Sequence, residues 1–125
     1  IEKKGKSKNL QEIDDDDNIL DIGPKTILSI KNIINNSKTV LWNGPAGYFE
    51  NPNFQNGTKE ILEIISQKTQ NDNIFSVAGG GETVAAINKF KKFKSFTFVS
   101  TAGGAFLEYL EGKILPGIKA LNKNV

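Results

Sequence analysis

In Val77-Ala78-Gly79-Gly80-Gly81-Glu82-Thr83-Val84 an apolar run ends in three glycines, followed by a carboxylate, a hydroxyl and the start of a helical pattern. A strand that passes through bare backbone into a helix presents unpaired N–H groups and a partial positive charge at the helix start. Glycines let an anion approach those groups closely, so a phosphate is the natural guest. Glu82 and Thr83 stand at the rim of the turn, where an oxygen-seeking cation such as magnesium could be held beside that phosphate. The competing reading is a tight strand-to-helix turn whose glycines serve packing alone.

Two further loops have related chemistry. Thr39-Val40-Leu41-Trp42 reads as a strand running into Asn43-Gly44-Pro45-Ala46-Gly47-Tyr48-Phe49-Glu50, a turn-rich loop with two aromatics and a carboxylate. Loops of this mix line ligand pockets, although for Trp42, Tyr48 and Phe49 taken singly core packing is the expectation. Phe96-Thr97-Phe98-Val99-Ser100 reads as a strand that ends in Thr101-Ala102-Gly103-Gly104-Ala105.

The elements that must hold these loops alternate along the chain. Ile19 to Ile22 reads as a short strand. Pro24, Ile27, Ile30, Ile33 and Ile34 mark an amphipathic helix over residues 24 to 36. Asn56 or Thr58 is expected to cap a helix running to about Gln70 with Ile61, Leu62, Ile64 and Ile65 on its apolar face, and Asn71-Asp72-Asn73 to turn the chain into a strand at 74–78. Val84, Ala85, Ile87 and Phe90 mark the next helix, closed by Lys89, Lys91, Lys92 and Lys94, which suit the negative end of the helix dipole. Phe106, Leu107 and Leu110 start another, ended by Gly112, and Leu115 to Ile118 reads as a turn-like tail. Strands alternating with helices define the α/β class: a parallel sheet with helices on both faces, Rossmann-like and three-layered. Ligands of such sheets bind outside the carboxyl ends of the strands, and three successive strands here end in glycine-bearing loops on that one edge. Neither the glycine-lysine phosphate loop nor the G-x-G-x-x-G dinucleotide pattern occurs.

The totals bound the chemistry. The 125 residues fit one domain or part of one, with a net charge of +2 that gives no extended nucleic-acid or membrane footprint. There is no cysteine and no histidine, so disulfide, thiolate, serine–histidine and zinc–histidine chemistry are excluded within this chain. All basic residues are lysine, which removes bidentate arginine clamps. No apolar run approaches the ~20 residues of a membrane span and no signal peptide is visible, so the cytoplasm is the expected location. Residues 1–18 read as a polar, acidic lead-in loop, with Asp14 to Asp17 a solvated charge run, and 19–125 as the folded portion. The chain begins with isoleucine, and its start is expected to be a cut or processed end.

The segments Leu41 to Glu50, Ala78 to Thr83 and Ser100 to Ala105, together with Asp21-Ile22-Gly23-Pro24 and Glu111-Gly112-Lys113-Ile114-Leu115-Pro116-Gly117, resemble the phosphoglycerate kinase family, in the family's order and over residues 19 to 121. The resemblance implies the last part of a C-terminal, nucleotide-binding domain in an enzyme of glycolysis that moves a phosphoryl group between 1,3-bisphosphoglycerate and ADP, giving 3-phosphoglycerate and ATP, with magnesium. It implies that Glu50 binds the ribose, that Asn43 and Pro45 lie along the nucleotide, and that Gly79, Gly80, Gly81 and Thr83 belong to the phosphate-binding turn. Glu82 would hold Mg2+, and Gly103 and Gly104 would present amides to the group in transfer. The family usually has aspartate where this chain has Glu82, and many members have glycine where it has Ala102. The family's N-terminal basic patch of arginines and a histidine has no counterpart here. The expectation is therefore a C-terminal fragment of a monomeric enzyme, inactive alone, that keeps a nucleotide-phosphate site and self-associates through an exposed sheet edge. A non-catalytic nucleotide-binding or interaction module is the alternative.

Overall fold

The computed structural model describes residues 4–72 and 74–122. Its elements are α1 (Pro24–Asn35), β1 (Thr39–Asn43), α2 (Asn56–Asn71), β2 (Phe75–Gly79), α3 (Gly81–Lys89), β3 (Phe98–Val99), α4 (Gly104–Leu110) and α5 (Pro116–Asn122). The strands form one parallel sheet in the order β1-β2-β3. Thr39 pairs with Phe75 and the register runs to Asn43 opposite Gly79, so both strands deliver their loops at the same level.

Strand alternation divides the sheet into two faces. Trp42 and Ala78 are paired and face a core built with Ile34 of α1, Ile61, Leu62 and Ile65 of α2, and Ala86 and Ile87 of α3. Trp42 stacks on Phe96 with ring centroids 6.1 Å apart. On the opposite face Leu41, Phe75 and Phe98 are exposed. Only its carboxyl end is covered where the backbone is bare: a Cβ on Gly79 would lie 2.2 Å from the Phe106 ring of α4. The α/β class and the parallel sheet are as expected, with α1, α2 and α3 on the core face and α4 at the carboxyl end of the other.

Four local readings are corrected. Ile19 to Ile22 is not a strand. Its backbone tie to the sheet side is one bond, from the Tyr48 N–H to the Leu20 carbonyl (2.8 Å), and the Asp21 carboxylate takes up local N–H groups instead, a competition that breaks a ladder. The strand expected at 96–100 shrinks to Phe98–Val99. Side chains substitute for ladder bonds just before it: the Ser76 N–H donates to Thr97 Oγ1 (3.1 Å) and the Thr97 N–H to Ser76 Oγ (3.0 Å). Neither Asn56 nor Thr58 caps α2; Gln55 is at the cap position without a side-chain bond. The tail is the helix α5, where Pro116 sits in the first turn with its fixed φ and missing N–H. Of the turn expected at 71–73, Asn71 closes α2 and Asn73 lies outside the described residues.

The acidic lead-in is exposed but tied. Lys8 Nζ pairs with Asp17 (2.5 Å) and Asp14 (3.0 Å). The hydrogen bond from Lys8, then that from the Asp14 N–H, holds the Asp17 carboxyl below the usual carboxylate range.

Candidate functional site

Parallel pairing of β1 with β2, and of β2 with β3, sets the three glycine-bearing loops side by side at the carboxyl edge. The three glycines of the central turn have different duties. Gly79 is bare so that Phe106 can lie on it. Gly80 has φ +92° and ψ 142°, a backbone region that L side chains avoid, and its Cβ position would be 3.0 Å from the Asn43 amide nitrogen. Gly81 is the first residue of α3 and meets nothing within 4 Å. The first helical bond runs from the Val84 N–H to the Gly80 carbonyl at 3.0 Å. The amides of Gly81, Glu82 and Thr83 precede it and have no intrahelical acceptor.

The neighbouring loop is fastened to this turn. Asn43 Nδ2 donates to the Gly79 carbonyl at 3.0 Å, and the Gly44 N–H donates to Thr83 Oγ1 at 2.6 Å. Thr83 is buried, and its hydroxyl serves the loop by accepting the Gly44 N–H. Pro45, Gly47, Tyr48 and Glu82 line a cleft of about 290 Å³ with Asp21 opposite. Of the three aromatics, Trp42 and Phe49 belong to the core, whereas Tyr48 is exposed along the cleft. Glu50 is exposed beyond the buried Phe49, and Lys89 donates to its carbonyl at 3.3 Å. Gly103 has φ +56° and ψ −126°, and a Cβ on it or on Gly104 would meet nothing within 4 Å. The Phe106–Gly79 contact brings their loop beside the central turn.

Two residues of this arrangement escape a sequence reading. Asp21 Oδ1 accepts the Ile22 N–H (2.8 Å) and Oδ2 the Gly57 N–H at the start of α2 (2.9 Å), doing the work of the absent cap from a distant segment. A Cβ on Gly47 or Gly57 would come within 2.4 Å of Asp21 Oδ1, so both glycines make room for it. The available signal was an acid inside an otherwise apolar run. Lys89 gave none, because it resembles its solvated lysine neighbours. Thr58 is fully buried and accepts the Ala46 N–H at 3.0 Å, a second strut under the same loop.

Fold and site together define an open parallel α/β domain with glycine-bearing loops side by side at the carboxyl ends of its strands. The sequence model of the family described as "Phosphoglycerate kinase" matches residues 1–113. The chain belongs to the phosphoglycerate kinase family. It is 52% identical over 117 residues to the phosphoglycerate kinase of Blochmanniella floridana, covering 94% of this chain and 28% of that protein. With the enzyme of Haemophilus influenzae strain PittGG it shares 50% identity over 116 residues, covering 93% of this chain and 29% of the relative. The solved phosphoglycerate kinase of Coxiella burnetii superposes with a TM-score of 0.85 at 41% identity, over 94% of this chain and 29% of that one. The Pyrococcus horikoshii enzyme superposes at 0.72 with 36% identity, over 84% of this chain and 25% of its own. The chain thus spans between a quarter and a third of its relatives. Among the described residues no helix is long and apolar enough to cross a membrane.

Proposed function

We propose that this chain is the nucleotide-phosphate and magnesium-binding portion of a phosphoglycerate kinase, acting in cytoplasmic glycolysis on 1,3-bisphosphoglycerate and ADP. Residues 19–125 form the nucleotide-domain part and residues 1–18 a lead-in. The observation that carries the reading is the run of amides from Gly81 to Thr83, ahead of the first helical bond, at the carboxyl end of the central strand. These amides, in the turn Gly79 to Thr83, bind the phosphates; Asn43 and Pro45 lie along the nucleotide and Glu50 takes the ribose hydroxyls. Gly103 and Gly104 present amides to the group in transfer. Phosphoryl transfer needs positioning and charge neutralisation more than covalent chemistry, which is what backbone amides supply.

Glu82 would hold magnesium jointly with a phosphate. Glu82 is exposed in the first turn of α3 and lines the cleft. Among the described residues no three acids or other ligating side chains cluster, and magnesium is characteristically bound by one or two carboxylates plus substrate phosphates. When bound there, it would neutralise phosphate charge. Calorimetric titration with ADP, with and without Mg2+, tests the reading: magnesium-dependent binding at micromolar to low millimolar levels is expected, and no binding by heat or by an independent probe would overturn it. Glu82→Asp, one methylene shorter, is expected to tighten the magnesium-dependent affinity several-fold.

Turnover is expected to be absent from the chain alone. Among the described residues no cation lines the cleft, and the chain contains no arginine or histidine to grip the acid substrate. A coupled assay that rises above a buffer blank would contradict this and displace the alternative of a non-catalytic nucleotide-binding module. Self-association is the further expectation for the isolated chain, with no nucleic-acid or membrane partner. Among the described residues β1 and β3 each have an outer edge with no neighbouring strand, and the open sheet face exposes Leu41, Phe75 and Phe98. Light scattering should give a mass above one chain that grows with concentration; a constant single-chain mass at high concentration would exclude it.

A further inference from the structure

Helix α3 is pinned to the loop after β1 at both ends. At its start the Gly44 N–H donates to the buried Thr83 hydroxyl. At its end Lys89 Nζ donates to the carbonyls of Phe49 (2.5 Å) and Glu50 (3.3 Å). The same ammonium lies 5.8 Å from the centre of the Phe49 ring and 5.7 Å from that of Phe90, within reach of a cation–π attraction. A surface lysine ordinarily keeps its rotamer freedom; holding this one on two carbonyls costs entropy that a merely solvating side chain would not spend. Phe49 is buried, so the corner it shares with Glu50 is fixed from below by packing and from the side by Lys89.

We infer that Lys89 is a positioning residue for the nucleotide, holding the Phe49–Glu50 corner so that the Glu50 carboxylate stands at a set distance from the amides at the other end of α3. The six residue steps from Thr83 to Lys89 span about 9 Å along the helix axis, the scale of the reach from a ribose to its β-phosphate. A site so braced favours a ligand that carries both groups, a nucleoside diphosphate, over one that carries phosphates alone. The inference rests on the nucleotide reading proposed above.

The test titrates the chain, Lys89→Met, Lys89→Arg, Glu50→Gln and the Lys89→Met/Glu50→Gln pair with ADP and, separately, with inorganic pyrophosphate, both with Mg2+. Thermal unfolding without ligand accompanies each variant. Lys89→Met is expected to weaken ADP roughly tenfold, the scale of a lost hydrogen bond to a charged group, and to leave pyrophosphate unchanged. The double variant should bind ADP no worse than Glu50→Gln, because the two changes remove one contact, and Lys89→Arg should recover most of the loss. Equal weakening of ADP and pyrophosphate, additive single losses, or an unaltered ADP affinity in Lys89→Met would each overturn the positioning role while leaving the nucleotide reading intact. A parent chain that binds neither ligand would overturn both.

Discussion

Asp21→Ala is expected to destabilise the chain by about 2–4 kcal/mol, measured as a lower urea midpoint at constant slope. The side chain has no role in the core; its effect comes from two N–H groups, of Ile22 and Gly57, that lose a charged acceptor. Gly57 is buried at the second position of α2, where no helical carbonyl can replace the carboxylate and water has poor access. Asp21→Asn keeps an amide oxygen but not the charge or both acceptors, and should recover roughly half of the loss. A coupling test separates this from general damage. Gly57→Ala is expected to be severe in the parent chain, since its Cβ would lie 2.4 Å from Asp21 Oδ1, and milder when Asp21 is already alanine. Additive effects would mean that the glycine answers to Ile22, whose Cγ1 lies 2.5 Å from the same point, and not to the carboxylate.

The same carboxylate shows where a sequence reading stops. Elements whose identity is set by their own periodicity were legible: the Ile27–Ile34 stripe of α1, the apolar face of α2, and the strands at 39 and 75 each run within a residue or two of expectation. The elements misread were those decided by a partner distant in sequence. Ile19 to Ile22 has strand composition, but Asp21 within it is claimed by α2. Phe96 to Ser100 has it too, but Thr97 exchanges bonds with Ser76 through side chains and leaves two residues of ladder. Proline and glycine at 116 and 117 suggested a turn, whereas proline equally opens a helix. In the candidate site the glycines and their common edge followed from pattern, because a parallel sheet places all strand ends together. The braces did not, since neither Thr83 nor Lys89 carries any local mark of the loop it holds.

Gly80→Ala and Gly81→Ala are expected to differ in kind although the residues are adjacent. At Gly80 any side chain must adopt φ +92° with ψ 142° and press on the Asn43 amide at 3.0 Å. That backbone strain costs on the order of 1–3 kcal/mol, and relief by rotation of the turn would re-aim the amides of Gly81 to Thr83. Gly80→Ala should therefore lose both stability and more than tenfold in ADP affinity. Gly81 is already helical, lacks a positive φ and faces open space. Alanine there should hold or raise stability by about 0.5 kcal/mol by restricting the unfolded chain, yet place a methyl where a phosphate would approach. Loss of ADP affinity without loss of stability at Gly81 is the outcome that a packing-only account of the three glycines cannot produce. Unchanged affinity would mean that the open space beside Gly81 is not where the phosphate sits, and the proposed amide cradle would have to be abandoned.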